Sequence, residues 1–185
     1  MKEKNKQLGD IIWNNKQILN AIDNLALTMN NYYHENDDVI VMAILDGVIV
    51  FLGNLLTKLK FHPTLATLKL SLYGMETTAR LNHIHNAYDF SYVNGKKLLI
   101  LEDLLDTGST LAQLLDILKD YTPIDIKICT LFKKKNVSEF KKTMKVNVDW
   151  VGLEVPNEWI VGFGIDFKGK YRSLPDLRFV KKEEI

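Results

Sequence analysis

From Ile11 to about Tyr33, the residues Ile11, Ile18, Ile22, Leu25 and Met29 recur at spacings of seven, four, three and four. That is one face of an amphipathic helix, with Asp10 as its cap. The stretch VIVMAIL (Val39 to Leu45) is β-branched and too short for a helix, so it predicts a buried strand. Behind Asp46-Gly47, the helical period returns in VIVFLGNLLTKL (Val48 to Leu59). The same strand, turn and helix are written again: an apolar strand at Lys97 to Leu101, a turn EDLLDTGS, and a helix with Thr110, Leu111, Leu114, Leu115 and Leu118 on one face. A further strand, IKICTLF, lies near Asp125 to Phe132. Two segments break this rhythm. Tyr73 to Asn94 is polar, carries Arg80, His83 and His85, and lacks a period, so it reads as a long loop or irregular hairpin. Val151 to Val180, broken by Pro156 and Pro175, reads as short strands and turns.

Strands alternating with helices predict an α/β fold, a mainly parallel twisted sheet flanked by helices on both faces. Ligands of such sheets bind beyond the carboxyl ends of the strands, where the two turns fall. Composition then narrows the class. The 185 residues are 46% hydrophobic and 25% charged, which suits a single domain spanning 1–185. With 24 basic and 23 acidic residues the formal charge is +1, so nothing global calls for nucleic acid or an anionic membrane. Cys129, alone in an apolar run, excludes intrachain disulfides and reads as a buried small hydrophobe. The charged start MKEKNKQLGD lacks the apolar core of a secretory signal, and the expectation is a cytoplasmic protein. Val39 to Leu56 is long and nearly apolar, but Asp46-Gly47 interrupts it, against a membrane span.

The densest chemistry lies in LLILEDLLDTGSTL (Leu98 to Leu111). Gly108 allows the backbone to approach a ligand, and amides opening a helix offer donors and a positive dipole end to a phosphate. Thr107, Ser109 and Thr110 add hydroxyl donors. Glu102 and Asp103 could accept from sugar hydroxyls or hold hydrated magnesium. Asp-Thr-Gly-Ser-Thr by itself is also what an ordinary capped turn looks like. The glycine spacing and Gly-Lys-Ser/Thr ending of a nucleotide P-loop are missing. Two acids after LLIL, followed by this turn and an amphipathic helix, resemble the phosphoribosyl pyrophosphate signature of type I phosphoribosyltransferases.

Further segments resemble the hypoxanthine-guanine branch of that family, in its order. LDGVIVFL (Leu45 to Leu52) is similar to its pyrophosphate loop, and LYGMETT (Leu72 to Thr78) to the start of its mobile lid. LFKKK (Leu131 to Lys135) resembles its base-recognition lysine, and EVPNEWIVGFGIDFKGKYRSLPDL (Glu154 to Leu177) its C-terminal hood. The resemblance implies a type I phosphoribosyltransferase fold with a core at about 35–150, a small irregular hood at about 151–185 joined by the N-terminal segment, and a lid at about 72–94. It implies transfer of the phosphoribosyl group from phosphoribosyl pyrophosphate to hypoxanthine or guanine, with Mg2+ as cofactor and a homo-oligomer, dimer or tetramer, as the assembly. By the same resemblance Asp106 is the catalytic base, and Glu102, Asp103, Asp106, Thr107, Gly108, Ser109, Thr110, Gly47 and Arg172 bind phosphoribosyl pyrophosphate. Asp166, with Glu102 and Asp103, serves the metal. Trp159 stacks on the purine, Ile160 offers backbone groups to its edge, and Lys134 donates to the exocyclic oxygen, with Lys133 and Lys135 open as alternative registers. Leu72 and Tyr73 belong to the lid, Tyr73 covering the site.

The branch commonly has a basic residue where Asp46 stands and Ser where Leu72 stands. Rival readings are a transferase for xanthine or adenine, and a phosphoribosyltransferase-fold regulator that binds RNA. The second would use LFKKKNVSEFKKTMK (Leu131 to Lys145), a local basic cluster.

Overall fold

The structure, a computed structural model, describes residues 8–69, 89–135 and 146–181. Its elements are β1 (Leu8–Trp13), α1 (Asn15–Tyr32), β2 (Val39–Leu45), α2 (Ile49–Leu56), β3 (Thr64–Lys69), β4 (Lys97–Leu105), α3 (Ser109–Leu118), β5 (Asp125–Lys134), β6 (Trp150–Val155), β7 (Ile160–Val161) and β8 (Leu177–Val180).

Five strands form one sheet in the order β3-β2-β4-β5-β6, all parallel. The continuous apolar run of β2 follows from burial on both faces. Val39, Val41 and Ala43 join a core that includes Ile18, Ile22, Leu25 and Met29 of α1 and Phe51 and Leu55 of α2. Ile40, Met42 and Ile44 point the other way, to Leu111, Leu114 and Ile117 of α3. Alternate side chains of one strand therefore serve two cores. Cys129 is fully buried in the first of them.

β1, β8 and β7 form a separate three-stranded sheet, antiparallel throughout. This is the irregular hood, with a small core of Leu8, Val161, Phe167 and Val180. β6 pairs with β5 in the main sheet, so the hood begins after Val155, not at residue 151.

Local pattern misjudged some boundaries. The helix expected from Ile11 starts at Asn15, and its cap is Asn14: the Asn14 side chain accepts from Gln17 N–H while the Gln17 side chain accepts from Asn14 N–H. Ile11 lies in β1, 45% exposed, because residues 8–13 pair with the C-terminal strand. The second helix stops at Leu56, short of Leu59. β3 has no counterpart among the elements expected from the sequence; it is an edge strand, mostly exposed, with only Leu68 buried. Of the expected lid, residues 72–88 lie outside the described residues. Its end at residues 89–94 is anchored, with Phe90 and Val93 fully buried and Phe90 edge-on to Tyr121 at 5.8 Å. No helix among the described residues is long and apolar enough to cross a membrane.

Candidate active site

The carboxyl ends of β2, β4 and β5 open on one edge of the sheet, as parallel pairing requires. β4 runs on to Leu105, paired opposite Lys133 of β5, so Glu102 and Asp103 stand inside the strand and not in the turn after it. The pairing with β5 extends the strand past its apolar run. Asp106 is the first residue beyond β4 and Lys134 the last of β5. The Lys134 ammonium donates to Asp106 Oδ2 at 3.0 Å, with the lysine side chain 13% exposed and the aspartate 51%. Of the three consecutive lysines, this geometry brings Lys134 to Asp106. Strand alternation turns Lys133 toward the opposite face, and Lys135 lies beyond the end of β5.

The turn that follows opens a helix through a glycine. Gly108 takes φ +75, the left-handed conformation, and serves as the N-cap of α3. No side chain caps this helix, in contrast to the capping box of α1. The positive end of its dipole and the amides after Ser109 in its first turn are thus without a side-chain cap among the described residues. Thr107 Oγ1 and Ser109 Oγ are 3.0 Å apart, and Ser109 N–H donates weakly to Thr107 Oγ1 at 3.3 Å. Thr110 follows within the first helical turn.

The turn after β2 is shaped by its neighbours. A Cβ on Gly47 would lie 2.0 Å from Asp103 Oδ2, and one on Gly164 would lie 2.0 Å from the Gly47 carbonyl oxygen. The hood and the two strand ends therefore close on each other at these two glycines. The Leu45–Asp46 peptide is cis. Hood residues Gly162 (φ +107), Phe163 (φ +47) and Gly164 (φ +101) all take positive φ. This accounts for the Gly-Phe-Gly spelling, since a run of left-handed residues is costly without glycine. The contorted backbone delivers Asp166 to Arg172: Arg172 Nη2 lies 2.7 Å from Asp166 Oδ1, and Nη1 donates to the Gly164 carbonyl at 2.8 Å. Asp166 Oδ2 accepts from Gly169 N–H.

Electrostatics concentrate on β4. Burial, and then the charge of Asp103, push the Glu102 carboxyl up to about 8. Its Oε2 is shielded and has no hydrogen-bond partner among the described residues. Burial also raises Asp103, against hydrogen bonds from its own N–H and that of Leu104 and the attraction of Arg172. Carboxyls perturbed by burial and a like-charged neighbour cluster at functional sites.

Trp159 is 55% exposed, so it is not the ordinary core aromatic its residue type suggests; its ring meets Phe167 edge-on at 5.8 Å. Ile160, adjacent to it, opens β7 and is buried in the main core. Leu72 and Tyr73 lie outside the described residues. Sequence reasoning missed Lys69. The parallel register sets it beside Leu45, and its ammonium binds both oxygens of Asp46 at 2.9 and 3.1 Å. Recognising TLATLK as a strand ending level with β2 would have found it.

Residues 9–168 match the phosphoribosyl transferase domain model. The chain is 31% identical over 179 residues to the hypoxanthine phosphoribosyltransferase of Haemophilus influenzae, covering 95% of this chain and 97% of that one. It is 32% identical over 176 residues to the hypoxanthine-guanine-xanthine phosphoribosyltransferase of Tritrichomonas foetus, covering 95% and 93%. The crystal structure of a hypoxanthine-guanine phosphoribosyltransferase from Bacillus anthracis superposes with a TM-score of 0.79 at 30% identity, over 95% of this chain and 99% of that one. A five-stranded parallel sheet with a small antiparallel sheet beside it and these relatives agree: the chain belongs to the phosphoribosyltransferase family, in its hypoxanthine-guanine branch.

Proposed function

We propose that this protein is a purine salvage enzyme that transfers the phosphoribosyl group from phosphoribosyl pyrophosphate to hypoxanthine or guanine, giving IMP or GMP and pyrophosphate. The observation that carries the reading is the pairing of Lys134 with Asp106 beside the uncapped start of α3. A base-reading donor and a proton acceptor stand together next to a phosphate-receiving turn.

The 5′-phosphate occupies the amides and hydroxyls of Thr107 to Thr110. The purine stacks on exposed Trp159, whose open face suits a flat heterocycle. Backbone groups of Ile160 meet its edge. Lys134 turns from Asp106 to the exocyclic oxygen, an acceptor that adenine's amino group does not provide. Asp106, released, accepts the proton of the attacking ring nitrogen. That nitrogen bonds to the anomeric carbon as the carbon–oxygen bond to pyrophosphate breaks, and the electron pair leaves with pyrophosphate. Arg172 meets the departing charge with a planar fork of donors.

Magnesium fits the donors present. The shielded, unpartnered oxygen of Glu102 and the buried carboxyl of Asp103 are hard ligands that a hydrated cation would satisfy. Both oxygens of Asp166 already hold a donor, which favours contact through water over direct ligation. When bound, magnesium offsets charge on the pyrophosphate group. The reading extends to a homo-oligomer, dimer or tetramer, in the cytoplasm; exposed Leu27 and Tyr32 on α1 are apolar surface that a second copy could cover. Light scattering that returns a monomer removes that part.

The test is a spectrophotometric assay of purified protein with magnesium and phosphoribosyl pyrophosphate, offering hypoxanthine, guanine, xanthine and adenine separately. Turnover of hypoxanthine or guanine is expected. Turnover confined to xanthine or adenine would reassign the base, and no turnover with any base would overturn the enzyme reading.

A further inference from the structure

The turn after β2 meets a polyanion with an aspartate, Asp46, where a cation is needed. A bare carboxylate at that point repels pyrophosphate. The structure surrounds Asp46 with positive charge from two elements. Lys69, the last residue of β3, binds both of its oxygens, and the guanidinium of Arg172 adds its field from the hood. The Asp46 carboxyl is held below the usual carboxylate range by the Lys69 hydrogen bond first and by the charges of Lys69 and Arg172 after it. The pair faces solvent, Lys69 62% and Asp46 38% exposed. It stands at the mouth of the site, one residue from Gly47, which packs against Asp103.

Resting on the reading of this turn as the pyrophosphate loop, we propose that Lys69 is its anion-binding cation, and that Asp46 is its resting partner, which competes with an incoming phosphate for the ammonium. The charge that the branch commonly carries within the loop is supplied here by the neighbouring strand. Parallel register makes this possible, because Lys69 ends level with Leu45 and its side chain crosses to the next residue of β2. An exposed ion pair contributes little stability, so its ammonium is readily shared with an incoming phosphate oxygen. Lysine is well matched to such sharing, being a compact charge with three rotatable donors on a flexible stem.

The test is calorimetric titration of magnesium pyrophosphate into the full chain, comparing Lys69→Ala, Lys69→Arg, Asp46→Ala and the double alanine variant, with melting temperatures to confirm that each is folded. Lys69→Ala is expected to weaken binding by roughly tenfold or more, since it also leaves Asp46 unneutralised, and Lys69→Arg to recover most of that loss. Asp46→Ala, which removes the anion and keeps the cation, is expected to bind severalfold tighter, and the double variant to fall between the single ones. Wild-type affinity in Lys69→Ala, or equal weakening by both single alanines, would overturn the proposal, the second by showing that the pair is only a brace. Titration needs neither a base nor turnover. A wild-type chain that binds no magnesium pyrophosphate overturns the loop reading and this one together, whereas tight wild-type binding with an indifferent Lys69→Ala overturns this one alone.

Discussion

Two strand–turn–helix units lie side by side in the sheet and open on the same edge, and each places a glycine at the turn, for different reasons. Gly108, before α3, needs its backbone dihedral: φ is +75, while the nearest atom to an added Cβ is a leucine methyl at 3.6 Å. Gly47, before α2, needs room, since its Cβ would meet Asp103 Oδ2 at 2.0 Å. The first turn is an open cradle made of amides and hydroxyls, shaped by its own sequence. The second is held shut by distant neighbours, Asp103 from β4 and Gly164 from the hood. On the proposed reading, one fold would receive two phosphate groups by two devices, local backbone donors in one case and side-chain charge delivered from other elements in the other.

The largest effect should come from breaking the shut turn. Gly164→Ala combines a φ of +101 with a contact of 2.0 Å to the Gly47 carbonyl, a backbone atom that cannot swing aside. A loss of roughly 3 kcal/mol or more in stability is expected, read by urea denaturation, from overpacking added to left-handed strain. Wild-type stability would mean that the hood does not close on this turn. Next is Asp106→Asn, which leaves the open cradle intact and removes the proton acceptor. Turnover should fall by about a hundredfold or more while phosphoribosyl pyrophosphate still binds, and full activity would remove Asp106 from its role. Lys134→Ala should then cost base selectivity more than pyrophosphate affinity, in steady-state assays across the four bases; the reverse pattern would return the role to Lys133 or Lys135. Gly108→Ala sharpens the contrast with Gly164: with space available and only the dihedral opposed, the cost should be about 1 kcal/mol.

The difference between the turns also explains what could be read from sequence. β2, β4 and α3 were legible because their period comes from burial on both faces or on one helical stripe. Glu102, Asp103 and the Thr107 to Thr110 run could be named as candidates because they are contiguous, and Lys134 to within one residue because the lysines are. β1 was misread as the start of α1, since Ile11 to Trp13 continues an apolar pattern while its pairing partner, β8, lies near the other end of the chain. β3 escaped because TLATLK, an edge strand with one buried residue, carries little pattern. Without β3 there was no Lys69, and Asp46 stood as an unexplained departure. Contacts made through sheet register and hood closure leave no local trace in the letters.

The last expected effect is one of pH and concerns Glu102, on the strand that leads into the open turn, whose shielded oxygen has no hydrogen-bond partner among the described residues. Its folded pKa is raised to about 8 from an ordinary 4.5, by burial and then by Asp103. Between those values the folded chain keeps a proton that the unfolded chain has released. Stability of the magnesium-free protein should therefore drift down as pH rises from about 4.5 to about 8, the direction set by the folded state binding more protons. Glu102→Gln, always neutral, should flatten this part of the profile in denaturation midpoints measured across that window. Parallel profiles for the variant and the wild type would place the Glu102 carboxylate in contact with water, and the proposed role of its oxygen toward a cation would then lose its support from burial.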